Sequence, residues 1–123
     1  MSFAPIFQLL SANAALTAKI GAAPVRAFPQ GTAPESVAKP YIVFQQITGS
    51  PENYLNQNPD ADDSTTQVDV YAETVTEARA VAILARNAMQ SASYITGIRE
   101  LGKDPDTNLF RVSIDVDWIT HRT

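Results

Sequence analysis

Three sets of side chains have types and spacings from which chemistry could be built: His121, the aspartates Asp60, Asp62 and Asp63, and the strand-spaced pair Asp115 and Asp117. His121 is the sole histidine and stands two residues from the end of the chain. A general base needs a nucleophile and an orienting group beside it. The chain has no cysteine, so thiolate nucleophiles, thiolate metal sites and disulfides are all absent. His121 therefore reads as a solvated terminal side chain. Calcium loops need oxygen ligands at alternating positions, a glycine for the sharp turn and a late glutamate. The stretch Asn58-Pro59-Asp60-Ala61-Asp62-Asp63 lacks the last two, and it reads as a solvated acidic segment. Asp115 and Asp117 share one strand face, as paired catalytic carboxylates would, but a charged surface accounts for them with less. Gly31, Gly49, Gly97 and Gly102 match neither GxGxxG nor GxxxxGK spacing. The expectation is a non-enzyme with no cofactor and no metal.

The charge is unevenly spread. Residues 1–50 carry a net +2, residues 51–77 a net −7 with no basic residue, and residues 78–123 a net +1, for −4 overall. No cluster of Lys or Arg marks a phosphate-binding face, which disfavours tight nucleic-acid binding. Hydrophobic residues make up 45% and charged residues 18% of 123, the balance of one globular domain spanning residues 1–123. No stretch approaches the roughly 20 apolar residues of a membrane helix, and residues 1–20 lack a signal-peptide pattern.

The elements that must position these groups follow from periodicity. Residues 3–20 read as one helix, with Ile6, Leu9, Leu10, Leu16 and Ile20 at helical spacing and Gly21 as its stop. Residues 25–28, bracketed by Pro24 and Pro29, form a short strand. Residues 40–48 are a strand rich in β-branched and aromatic side chains. Residues 49–64 are a long acidic loop, and such loops carry function more often than most segments. Residues 65–73 alternate as a strand. Thr74 and Glu77 make a capping box that opens a helix, whose buried stripe is Val75, Ala78, Val81, Ala82, Ala85, Ala88, Met89 and Ala92. Arg79, Arg86 and Gln90 fall on its other side. Residues 95–101 and 109–119 form a closing hairpin around a turn at 102–107. The order is α-β-β-β-α-β-β. It predicts an α+β fold, with a mainly antiparallel four- to five-stranded sheet and two helices on one face.

Several segments carry a resemblance when taken in order. They are Pro40-Tyr41-Ile42-Val43-Phe44, Gly49-Ser50-Pro51, Gln67-Val68-Asp69-Val70-Tyr71-Ala72, Glu77-Ala78-Arg79-Ala80 and Phe110-Arg111-Val112-Ser113-Ile114-Asp115-Val116. Together they resemble the tail-completion, or tail-terminator, family of long-tailed bacteriophages and prophages, over nearly the whole chain. The resemblance implies a structural virion protein, made in the host cytoplasm, that sits on the head-proximal end of the tail as a six-membered ring. Such a ring stops polymerisation of the tail-tube protein and offers a surface to the head–tail connector, with DNA passing through its lumen. The resemblance brings no catalytic residues and no membrane contact.

Ring subunits contact head-to-tail, so one face must complement a different one. The acidic segment and the more basic flanks supply opposite signs. The candidate interface residues are Glu52, Asn53, Tyr54, Asp60, Asp62, Asp63, Asp69, Glu73, Arg79 and Arg86. Three other readings stay open: a head–tail connector or neck protein, a small cellular α+β binding module with a deep apolar pocket, and a metal-dependent hydrolase built on the acidic segment.

Overall fold

The computed structural model describes residues 5–51 and 61–121. Its elements, in order, are helices α1 (Ile6–Ala12) and α2 (Ala14–Ile20), strands β1 (Ala27–Pro29), β2 (Tyr41–Pro51) and β3 (Ala61–Ala72), helix α3 (Val75–Met89), and strands β4 (Tyr94–Asp104) and β5 (Leu109–His121). They build a five-stranded sheet in the order β1-β2-β3-β5-β4. Three strand pairs are antiparallel, and β1 runs parallel to β2 with Ala27 opposite Ile42. The fold is α+β as expected, with a mixed sheet and a third helix.

That third helix comes from a break in the first. The apolar spacing of residues 3–20 is continuous, but the backbone leaves the helix at Asn13 (φ −91°, ψ 110°). The Asn13 side chain accepts from Leu16 N–H at 3.0 Å and so caps a new helix. Asparagine competes with helix continuation by this local bond. Two short helices still bury one stripe, Ile6 and Leu10 from α1, Leu16 and Ile20 from α2.

Alternation in the strands sorts the sheet into two faces. Ile42, Val68, Val70, Ala72, Val112, Ile114, Val116 and Trp118 join the helices in the main core. From α3 come Ala78, Val81, Ala82, Ala85, Ala88 and Met89, whose small side chains allow close approach to the sheet. Ala92, assigned to that stripe by periodicity, lies past the helix end and is exposed. The helix opens on Thr74, whose hydroxyl accepts from Glu77 N–H at 3.1 Å. The return half of the capping box is not formed. The Glu77 carboxylate lies 3.7 Å from Lys19 Nζ on α2 instead.

The opposite face carries a smaller apolar cluster of Tyr41, Val43 and Leu109, against which Phe28, Ala33, Val37 and Tyr71 pack. Residues 30–40 thus roof one end of that face.

The strands outrun the sequence expectation. β2 continues to Pro51 and β3 begins at Ala61, so both ends of the segment read as a 49–64 loop are ladder, and residues 52–60 lie outside the described residues. The reason is β5, which extends to His121 and pairs with β3 from Ala61 onward. Residues 62–64 have strand partners on both sides, which a loop could not offer. The ladder of β2 carries one bulge. Gln46 pairs with Thr66 and Thr48 with Thr65, leaving Ile47 as the extra residue.

Candidate assembly surface

The polar face of the sheet holds a set of cross-strand bonds. Arg111 Nη2 donates to Asp69 Oδ2 at 3.0 Å, and Gln67 Nε2 donates to both Asp69 oxygens at 3.1 Å. Asp69 is only 3% exposed. Tyr71, the register partner of both Tyr41 and Arg111, stacks on Tyr41 with ring centres 5.1 Å apart, and the Arg111 guanidinium lies over its ring. Burial raises both phenol pKa values above 10.0. The Asp104 charge adds to this for Tyr41, while Arg111 opposes it for Tyr71. Further along the face, Arg99 Nη2 donates to Asp115 Oδ1 at 3.0 Å, and Thr65 Oγ1 donates to Asp117 Oδ1 at 2.8 Å. Asp115 and Asp117 thus each have their own cross-strand partner.

Among the described residues, the candidates Asp69, Glu73, Arg79 and Arg86 stand at separate places on the fold. Glu52, Asn53, Tyr54 and Asp60 lie outside the described residues. Asp62 and Asp63 sit in β3, opposite Thr120 and Ile119 on one side and Pro51 and Ser50 on the other. Asp69 is sealed in its pair with Arg111, and in this fold it ties β3 to β5 rather than meeting solvent. Glu73 is exposed at the end of β3, beside Lys39, Pro40, Thr74 and Glu77 around a shallow polar hollow of about 290 Å³. Arg79 forms a two-pronged ion pair with Glu100 of β4, which holds the Glu100 carboxyl below the usual carboxylate range. Arg86 donates from Nε and Nη2 to Asn87 Oδ1 at 3.4 and 3.2 Å.

Sequence reasoning missed the apolar part of the surface. A groove of about 260 Å³ runs between α3 and β4, lined by Ala82, Ile83, Ile98 and Val112 and rimmed by the Arg79–Glu100 pair. Ile83 stands outside the buried helical stripe, and that was the available signal. Another groove, of about 390 Å³, lies where Ile6 of α1 meets the end of β1 and residues Phe44 to Gln46 of β2. No group of three or more potential metal ligands exists among the described residues, and none of their helices is long and apolar enough to cross a membrane.

A family pattern described as "Tail completion protein gp17" matches residues 4–121. The chain belongs to this tail completion family. It is a structural protein of a phage tail, as the order of its strand and capping motifs suggested. No curated protein sequence matches it. Its fold is similar to that of a chain in a structure described as "Virion of native gene transfer agent (GTA) particle". The two share 14% identity with a TM-score of 0.65, over 94% of this chain and 91% of the other. At that identity the likeness concerns the fold, and it agrees with a tail completion protein built as one mixed sheet under three helices.

Proposed function

We propose that this tail completion protein closes the head-proximal end of the tail tube as a ring of identical subunits. The ring stops addition of tube protein and presents a docking surface to the head–tail connector. The observation that carries this reading is membership of the tail completion family across residues 4–121. The architecture supports it. A stiff sheet backed by helices can hold several contact surfaces at fixed angles, as a closed ring of head-to-tail contacts requires. The acidic stretch 51–77, apart from Asp69 in its pair with Arg111 and Glu77 beside Lys19, also suits a lumen through which DNA must pass without sticking, because like charges repel.

The protein is placed, on this reading, in the virion at the head-side end of the tail, after assembly in the host cytoplasm. Electron microscopy of particles made without it tests the proposal. Over-long tails separated from heads are the expected outcome, and tails of normal length would overturn it. Adding purified protein to polymerising tube subunits separates a terminator, which caps length, from a connector or neck protein, which leaves length unchanged.

A further inference from the structure

Among the described residues, β4 is the element that the core holds least. Every other strand and every helix contributes at least one buried side chain, and no residue of β4 is buried. Ile95 packs against the core only in part, and Ile98 and Leu101 are 42% and 44% exposed. A groove separates the strand from α3, and the two side chains of the Arg79–Glu100 pair across it are 59% and 47% exposed. An ion pair in such contact with water holds little.

The ladder between β4 and β5 is also broken twice. Its register skips Thr96 and Leu101, which leaves short paired runs at Tyr94–Ile95, Gly97–Glu100 and Gly102–Asp104. The ladder between β3 and β5 runs from Ala61 to Ala72 without a shift. The two bulges give β4 length to spare. Its 11 residues lie opposite Leu109 to Asp117, a stretch two residues shorter. Both ends are tied down. Ser93 Oγ donates to the Met89 carbonyl at 2.7 Å, at the end of α3. Asp104 closes the turn to β5: its carbonyl accepts from Asn108 N–H at 2.7 Å and its carboxylate from the Thr107 hydroxyl at 3.1 Å.

We propose that β4 is a strap that bows off β5 between its two fixed ends and closes again while the rest of the fold stays intact. Two surplus residues are about 6.6 Å of extended chain, enough for the middle of the strap to stand roughly 8 Å out, and paired strands lie only about 4.8 Å apart. The ladder therefore breaks along the middle of the strand. Opening gives up the exposed pairs of Arg79 with Glu100 and Arg99 with Asp115, and the bond from the Thr96 hydroxyl to the Asp115 carbonyl. It leaves Val112, Ile114 and Val116 of β5 packed with α3 in the main core. Closed, the strap covers the edge of β5. Open, it bares a row of β5 backbone donors and acceptors, the pattern onto which another strand can add. The strap works within one copy, whether or not copies form a ring.

Alternate residues of β5 bond to β4 and to β3, so amide exchange followed by NMR on the full chain carries its own control. The amides bonded between β4 and β5 should exchange at one shared rate, at least about tenfold above that of the β5 amides bonded to β3. Deleting Thr96 and Leu101 together removes both bulges and keeps the remaining residues on alternate faces of a regular ladder. That variant should slow the fast set toward the slow one. Glu100→Gln should speed the fast set alone, by about threefold. A gradient of rates running in from the turn would mean that the hairpin frays, and would overturn the strap. So would equal rates in the two sets, a folded deletion variant whose fast set is unchanged, or an acceleration of both sets by Glu100→Gln. If the deletion variant does not fold, the rates in the parent protein and in Glu100→Gln still decide.

Discussion

The indole Nε1 of Trp118 donates to the hydroxyl of Thr66 at 2.7 Å, with both residues buried. Thr66 in turn donates to the carbonyl of Val116 at 3.5 Å, so one hydroxyl joins β3 to β5 twice under the main core. A buried N–H without a partner costs about 1–3 kcal/mol. Thr66→Val removes the partner and keeps the shape, and should lower unfolding free energy by about that amount. Trp118→Phe removes the donor as well, opens a smaller void than truncation to alanine would, and should cost about 1–3 kcal/mol. Chemical denaturation of the two variants checks both values. A Thr66→Val protein as stable as the parent would show that this bond contributes nothing.

The Asp69–Arg111 pair should behave asymmetrically. Arg111→Met strands a carboxylate whose side chain is 4% exposed, with only Gln67 to hold it. Breaking a buried pair from one side costs about 3–5 kcal/mol, and the 28% exposure of Arg111 places this case near the lower end. Asp69→Asn keeps an acceptor for both donors and should cost about 1–2 kcal/mol. The double variant should lose less than the two single losses added together, because neither charge is left alone. Equilibrium unfolding of all three proteins measures this coupling.

Alkaline pH should unfold the protein through Tyr41 and Tyr71. Burial raises both phenol pKa values in the folded state, so the stability they contribute is complete below pH 10.0, the ordinary value. Above that, unfolded phenols lose their protons while the folded ones keep theirs, and stability falls as pH climbs through the folded pKa values. Stability should therefore decline above about pH 10. Tyr41→Phe/Tyr71→Phe should flatten that decline, which thermal melts across the alkaline range would reveal.

Gly21 has little tolerance for a side chain. It sits at φ 88°, and a Cβ there would lie 2.8 Å from Arg26 Nη1 and 2.9 Å from the Pro24 carbonyl. Arg26 binds the Lys19 and Pro40 carbonyls at 2.9 and 3.1 Å, holding the end of α2 against the start of β2. Gly21→Ala should cost about 1–3 kcal/mol from the extended positive-φ backbone alone (ψ 156°), with the displaced guanidinium adding to it. A melting temperature equal to the parent's would contradict this.

Much of the fold was legible because local signals agreed with long-range ones. Thr74, Glu77 and the alanine spacing announced α3, and the alternation from Phe110 to Trp118 fixed which face of β5 is buried. The break at Asn13 was hidden because the apolar spacing runs across it without interruption. The parallel pairing of β1 was hidden because a three-residue strand carries no directional signal. The extent of β2 and β3 was misread because glycine, proline and aspartate mark turns, while the extended β5 supplies partners that local preference does not record. For the assembly surface, the acidic polarity of residues 51–77 could be counted directly. The burial of Asp69 could not, since it depends on Arg111 from another strand. Nor could the exposure of Ile98, which alternates like any core residue until it is placed on an edge strand.

The roof that residues 30–40 form over Tyr41, Val43 and Leu109 gives the molecule two cores of unequal depth. Ala33 and Val37 contribute little burial, and their segment is joined to the sheet mainly at its ends. Opening it would leave the helix-side core intact, so this corner should unlatch well before the whole molecule unfolds. Amide protons there should exchange with solvent water faster than those of β3, which is shielded by strands on both sides.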